Sequence, residues 1–248
     1  MFSTEERARL RDTLVAAAKA DPNIVGAALV GSSARGFQDK WSDIDLALSV
    51  AATADLAAVV HEWTERIYRE HGAVSHLDVL SQGTLYRVFL LPGTLQLDVS
   101  FWAESEFGAT GPHFRLLFGE TRRPERIHSV DAAYLIGMGW LYALHARSSI
   151  ARNRLWQAEY MISGMRDQVL ALICLRHGMV AVQARGIDDL PPEDMEPIDA
   201  TLVRSLNVAE LERAFSALCA ALVREIQGRD PDLAARLAEP IRELALCR

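Results

Sequence analysis

The segment that most constrains how this chain can fold is 30-VGSSARGFQDKWSDIDLAL-48, in which a short polar stretch joins two apolar runs. The runs 24–30 and 44–50 have the length and composition of buried strands. Asp43 and Asp45 are two residues apart where the second strand begins, so we expect both carboxylates on one face. Converging carboxylates repel each other unless a cation lies between them, and hard oxygen ligands of this kind suit Mg²⁺. The segment therefore predicts a metal site.

The polar stretch before these carboxylates predicts a phosphate-binding turn. Gly31 allows a backbone to approach a phosphate closely, and Ser32 and the N–H groups of the next turn can donate hydrogen bonds to it. Arg35 can add a positive charge. The alternative interpretation is a strand–turn–strand whose aspartates only cap a loop. It accounts less well for two carboxylates on one strand face at the start of an apolar run.

The type of pattern changes near residue 128. Up to that point, helical patterns over 4–20 and 53–71 alternate with strand patterns over 24–30, 44–50, 74–80, 87–91 and 95–101. After it, the patterns are helical over 129–148, 152–177, 199–227 and 231–247. The segment 188–199 has six acids and three prolines, which predicts a solvated loop. We expect an α/β unit over about 1–128 and a helical bundle over 129–248.

The strand over 95–101 has a regular alternation. Its odd-numbered residues are apolar and its even-numbered residues, Gln96, Asp98 and Ser100, are polar. Successive side chains of a strand point to opposite faces. We therefore expect Gln96 and Asp98 to share the polar face.

The pattern Gly-Ser, a spacer and then Ser-Asp-x-Asp resembles the signature of the nucleotidyltransferase superfamily, whose fold is like that of DNA polymerase β. The form G-S-x-A-R-G…S-D-I-D-L resembles the small bacterial members that modify aminoglycoside and lincosamide antibiotics. The resemblance implies an α+β fold. Its catalytic domain, 1–128, would hold a mixed sheet flanked by helices. A helical bundle domain, 129–248, would follow and help to bind the substrate.

The resemblance also implies a third carboxylate on a later strand. Asp98 in 95-LQLDVSF-101 fits this position, and Asp78 in 74-VSHLDVL-80 is the competing candidate. On this reading two Mg²⁺ ions are held by Asp43, Asp45 and Asp98. These ions would clamp the attacking and leaving oxygens of an in-line displacement at phosphorus.

The same resemblance assigns the nucleotide contacts and a base. Gly31, Ser32 and Arg35 or Ser42 would hold the β- and γ-phosphates of an NTP, with ATP the expected nucleotide. The general base would be Asp98 or Glu159, since the antibiotic-modifying relatives use a glutamate of their helical domain. A different interpretation makes Glu159 only a partner of Arg166 on the same helix.

The implied reaction is transfer of a nucleoside monophosphate, AMP by expectation, to a hydroxyl of a small molecule. An aminoglycoside or lincosamide acceptor would make this adenylyltransferase an antibiotic-resistance enzyme. One alternative is a regulatory or antitoxin-like nucleotidyltransferase that modifies a protein or an RNA, and the added helical region counts against it. A second alternative is a non-catalytic nucleotide-binding protein, which would bind nucleotide without turnover.

Composition limits the remaining classes. The net charge of −7 opposes binding to a nucleic-acid backbone and is compatible with a cationic acceptor. No uninterrupted apolar stretch approaches the length of a membrane span. Cys174, Cys219 and Cys247 are scattered, which is typical of a reducing cytoplasm, and the first two lie in apolar helical runs where we expect small core residues. The sequence leaves the oligomeric state open.

Overall fold

The computed structural model describes residues 3–34, 41–81, 83–109, 113–122 and 130–246, with all their side chains except those of Ser32 and Ser33. The chain divides into two compact units, Met1–Ile127 and His128–Arg248.

The first unit combines helices with a sheet. Its helices are α1 (Thr4–Ala20), α2 (Gly31–Ala34) and α3 (Leu56–His71). Its strands are β1 (Ile24–Val30), β2 (Ile44–Val50), β3 (Ser75–Ser81), β4 (Thr84–Leu91), β5 (Leu95–Ala103) and β6 (Phe114–Phe118). Single 3₁₀ turns cover Pro92–Thr94 and Glu104–Glu106.

The six strands form one mixed sheet in the order β3-β4-β5-β2-β1-β6. The pairing of β2 with β5 is parallel, and the other four pairings are antiparallel. The edge strand β6, which pairs with β1, was not expected from the sequence. It is only five residues long and has no alternation, so its pattern was too short to identify a strand.

The two faces of this sheet differ in their neighbours. One face packs with α1 and α3 into a core that includes Leu46, Val99 and Trp63, each at most 1% exposed. The other face carries a smaller apolar cluster around Trp102 and Phe107. The polar residues of β2 and β5 that matter for function lie on this second face.

Local signals fix the two long helices of this unit. Ser3 accepts a hydrogen bond from the backbone of Glu6, and the Glu6 carboxylate accepts one from the backbone of Ser3, a reciprocal cap at the start of α1. Asp55 caps α3, and Gly72 ends it with φ of 65°. These caps confirm the helices predicted at both places.

The second unit is helical in all its described elements. Its helices are α4 (Ala132–Ala151), α5 (Leu155–Arg176), α6 (Pro192–Asp199), α7 (Val208–Arg229) and α8 (Pro231–Ala245). Single 3₁₀ turns cover Val182–Ala184 and Ile187–Asp189. A continuous apolar core joins the helices, and Cys174 and Cys219 are buried in it as expected, neither of them in a disulfide bond.

The acid-rich segment 188–199 is not the solvated loop that its composition predicted. Most of it forms α6, which begins at Pro192 with Glu193 and Asp194 in its first turn. Proline is tolerated at the first position of a helix, and acidic side chains in the first turn are stabilised by the positive end of the helix dipole. Ile198 is 4% exposed and packs into the helical core, so burial of an apolar anchor overrides the polar composition.

A mixed sheet with helices, followed by a helical region, confirms the expected α+β class. Among the helices that the structure describes, none has both the length and the apolarity needed to cross a membrane.

Candidate functional site

The parallel pairing of β2 with β5 brings two of the predicted carboxylates together. Asp45 lies directly opposite Asp98 in the register of these strands. Asp43 lies one residue before β2 begins. Carboxylate oxygens of the three residues all lie within 4.8 Å of one another, and each residue is half-buried. We call these three residues the carboxylate triad.

Strand register explains why Asp98, and not Asp78, completes this triad. Asp98 of β5 is opposite Val88 of β4. Asp78 of β3 is opposite the next residue back on β4, Arg87. Arg87 is in turn opposite Val99 of β5, a core residue. Residues directly opposite one another share a face. Asp78 therefore belongs to the helix-covered face. There it forms a two-pronged ion pair with Arg87, with both N–O distances 2.6 Å, and this pair holds the pKa of Asp78 below its usual value.

Gly31 lies against the triad. It has φ of 59°, and a Cβ added to it would lie 2.6 Å from the Oδ2 atom of Asp45. Glycine is required there both by the left-handed backbone and by the space that the carboxylate occupies. From the sequence, this glycine was predicted only to let the backbone approach a phosphate. The structure adds a second reason, which is the close approach of Asp45.

Arg7 is a neighbour of the site that sequence reasoning missed. It is on α1, is 7% exposed, and its Nη1 atom donates to the main-chain carbonyl of Ser42, directly before Asp43. A guanidinium so deeply buried is costly to desolvate, so a specific acceptor matters to its placement. The sequence carried no signal for this contact, because Arg7 is one of several charged residues along α1 and only tertiary packing buries it.

Gln96 is a second neighbour of the triad. It is two residues before Asp98 on β5, and its Nε2 atom donates to Oδ1 at 3.0 Å and to Oδ2 at 3.1 Å of that aspartate. The alternation along β5 had predicted that the two side chains share a face, and they do.

Glu159 lies in the second unit, on α5, and is half-buried. Its Oε1 atom accepts a hydrogen bond of 2.7 Å from the Ser163 hydroxyl, which in turn accepts one of 2.7 Å from Nη2 of Arg166. Arg166 also donates to the carbonyl of Thr201. Arg166 is thus linked to Glu159 through the Ser163 hydroxyl, and this series of hydrogen bonds orients the Glu159 carboxylate.

The remaining predicted nucleotide contacts are placed only in part. Ser42 is half-buried directly before the triad. Ser32 lies in the single turn α2, where the structure describes its backbone, and Arg35 lies outside the described residues.

The donor set of the triad fits a divalent cation of the hard type. Three half-buried carboxylates converge, and their mutual repulsion disfavours such an arrangement without a positive charge. All the candidate ligand atoms are carboxylate oxygens, which suit Mg²⁺ better than softer metals.

Comparison with known proteins agrees with this geometry. The family described as "Nucleotidyltransferase domain" matches residues 10–83, a range that includes Gly31, Asp43 and Asp45 and ends before Asp98. The match confirms the expected resemblance to nucleotidyltransferases over this part of the chain, and with it the expected class of enzyme. No curated protein sequence shows a significant match to the chain.

Several solved structures share similarity over most of this chain. An aminoglycoside 6-adenyltransferase from Bacillus subtilis is 12% identical with a TM-score of 0.42, covering 98% of this chain and 99% of that chain. Terminal uridylyl transferase 4 from Trypanosoma brucei is 11% identical with a TM-score of 0.31, covering 91% and 68%. The polymerase core of TRAMP, an RNA surveillance complex, is 14% identical with a TM-score of 0.30, covering 93% and 61%. Similarities this distant carry no argument about the acceptor.

Proposed function

We propose that this nucleotidyltransferase transfers AMP from ATP to a hydroxyl group of a small molecule. A bond forms between the acceptor oxygen and the α-phosphorus, the bond from that phosphorus to the bridging oxygen of the β-phosphate breaks, and pyrophosphate leaves with the electron pair. The hydroxyl proton passes to a carboxylate base. The observation that carries this proposal is the carboxylate triad, two members of which, Asp43 and Asp45, lie in the matched nucleotidyltransferase domain.

In this proposal the chain's residues position the reactants. Asp43, Asp45 and Asp98 hold two Mg²⁺ ions, and Gly31 with Ser32 offers backbone and hydroxyl donors to the β- and γ-phosphates. Bound Mg²⁺ would neutralise the charge that develops on the leaving pyrophosphate and make the acceptor hydroxyl more acidic. Arg35 and Ser42 are further candidates for the phosphates. Most of the acceleration then comes from positioning and charge neutralisation.

Glu159 is our proposed general base. The hydrogen bond from Ser163 leaves its second carboxylate oxygen for the acceptor's proton, and the link through Ser163 to Arg166 fixes the side chain's orientation. Asp98 is the alternative base. The acceptor we propose is cationic, such as an aminoglycoside, because the chain has a net charge of −7. Activity on such an antibiotic, in the cytoplasm, would confer resistance.

The test measures pyrophosphate release with Mg²⁺, each NTP in turn, and a panel of acceptors. The panel includes aminoglycosides, lincosamides, candidate proteins and RNA. We expect release with ATP and a small cationic acceptor, and none from Asp45→Asn. Turnover only with a protein or an RNA would overturn the acceptor class. Full activity in Asp45→Asn would overturn the metal assignment, and tight nucleotide binding without turnover on any acceptor would overturn catalysis.

The same assay separates the two candidate bases. Glu159→Gln keeps the size and the hydrogen-bonding reach of the side chain but removes its basicity. We expect turnover to fall by about 10²–10⁴-fold with little change in the KM for ATP. Glu239→Gln is the matched control, because Glu239 is a strongly exposed glutamate of the same unit (74% exposed). Equal turnover in Glu159→Gln and Glu239→Gln would move the role to Asp98.

A further inference from the structure

The exposed side chain of Gln96 donates hydrogen bonds to one member of the triad, Asp98. Its one amide nitrogen donates to both oxygens of Asp98, at 3.0 and 3.1 Å. An ionised carboxylate can only accept hydrogen bonds, so the amide must present its nitrogen to it. This contact spans two residues of one strand, β5, whose backbone is fixed by pairing on both sides.

The register places Gln96 beside the triad, at the end of the pairing between β2 and β5. On one side it is paired with Leu90 of β4. On the other side, the parallel pairing with β2 begins at Leu97, opposite Ile44. Gln96 therefore lies one residue before the part of β5 that pairs with β2, just as Asp43 lies one residue before β2. Its amide lies on the face where Asp43, Asp45 and Asp98 converge.

We infer that Gln96 is a positioning residue that orients the Asp98 carboxylate for a divalent cation. Asp98 has two oxygens, so one can ligate a cation while the other keeps its hydrogen bond to the amide. A partner of a ligating carboxylate restricts its rotation, and loss of such a partner typically weakens metal binding by about 10–100-fold. The inference rests on the proposed function, because it requires the triad to bind a cation.

Its exposure makes the Gln96 side chain a suitable target for mutation. Gln96 is exposed, so its replacement leaves no cavity in the core. Gln96→Met keeps the length and flexibility of the side chain and removes the amide donor. Gln227→Met is the matched control, since Gln227 is an exposed glutamine on α7 in the other unit.

The experiment titrates Mn²⁺ into the full-length protein with a non-hydrolysable ATP analogue and follows binding by electron paramagnetic resonance. Wild type and Gln227→Met should bind with equal affinity, Gln96→Met should bind about 10–100-fold more weakly, and Asp98→Asn more weakly still. Pyrophosphate release by Gln96→Met should need correspondingly more Mg²⁺ and approach the wild-type kcat at saturation. The thermal midpoint of Gln96→Met without metal should match wild type.

The outcomes separate this inference from the proposed function. If wild type binds Mn²⁺ and Asp98→Asn does not, but Gln96→Met binds as tightly as wild type or more tightly, the inference is wrong and the proposed site stands. Tighter binding would mean that the amide competes with the cation. If wild type does not bind, or Asp98→Asn binds normally, both proposals fail. Should Gln96→Met fold poorly, Gln96→Asn carries the same expectation, because its shorter side chain withdraws the donor.

Discussion

Asp45 and Asp98 are direct partners in the only parallel pairing among the described strands. Their carboxylates meet because two strands far apart in the chain align without offset at this pair. A slip of one residue would send one of the two side chains to the helix-covered face. The hydrophobic residues that alternate with them, Leu46 and Val99, are at most 1% exposed and oppose such a slip. The apolar core therefore fixes the geometry of the polar site.

The first prediction concerns the linkage between the triad and ligand binding. Mg²⁺ with a non-hydrolysable ATP analogue should stabilise wild type, by about 2.7 kcal/mol at a hundredfold excess over Kd. Asp45→Asn should lose this stabilisation, yet without ligand its thermal midpoint should be at least that of wild type, since one of three mutually repelling charges is gone. Thermal unfolding with and without ligand measures both effects.

Asp78→Asn is the control for this measurement. Asp78 is on the other face and pairs with Arg87, so its replacement should leave the response to ligand intact. An equal ligand response in Asp45→Asn and wild type would show that the triad is not the cation site.

The second prediction concerns Gly31. In Gly31→Ala the added Cβ would press on the Asp45 carboxylate from 2.6 Å, and the φ of 59° would be strained. A displaced reactive group of this kind typically costs about 100-fold in turnover, and the backbone strain about 1–2 kcal/mol in stability. Pyrophosphate release and urea unfolding measure the two effects.

Gly72→Ala separates strain from displacement. Gly72 has a similar φ of 65°, but the nearest atom to an added Cβ there is Cγ of Pro92 at 3.7 Å. We expect Gly72→Ala to lose a similar amount of stability and to keep its turnover. If both variants lose turnover equally, the contact with Asp45 is not the cause.

The third prediction concerns Arg7. Arg7→Met removes the donor to the Ser42 carbonyl, and a hydrogen bond to a charged group contributes about 1.5–3 kcal/mol. We expect a loss of this size in the free energy of unfolding, together with weaker Mn²⁺ binding, because the carbonyl directly precedes Asp43. Arg7→Lys, which keeps the charge, should retain part of both. Metal affinity unchanged in Arg7→Met would show that the contact supports only the fold.

The sequence could predict those parts of the site that depend on local pattern. Asp43 and Asp45 were identifiable because apolar runs flank them, and the family resemblance pointed to Asp98, ahead of Asp78, as the third carboxylate. Gln96 was predicted to share a face with Asp98, although not to contact it. The contacts of Gly31 with Asp45 and of Arg7 with Ser42 could not be predicted, because each joins segments that meet only after the sheet and α1 have packed.

The last prediction concerns α6, the helix that forms where the composition had predicted a solvated loop. Arg176 donates to Asp194 with an N–O distance of 2.6 Å, and His177 contacts the same carboxylate at 2.6 Å. Hydrogen bonding to Arg176 holds the pKa of Asp194 below its usual value. A lowered pKa in the folded state means that this stabilisation is complete above the unfolded pKa, about 3.9, and is lost as the pH falls through the folded value.

Asp194→Asn should therefore lower the free energy of unfolding by about 1–2 kcal/mol at pH 7. The difference from wild type should stay constant down to about pH 5 and shrink below about pH 4, where the carboxylate first becomes protonated in the unfolded chain and, at lower pH, in the folded protein as well. Urea unfolding of both proteins between pH 7 and pH 3 measures this. Asp189→Asn, at an exposed position in the same acid-rich segment, should show little difference at any pH. A pH-independent difference for Asp194→Asn would mean that shape, and not charge, anchors α6 to α5.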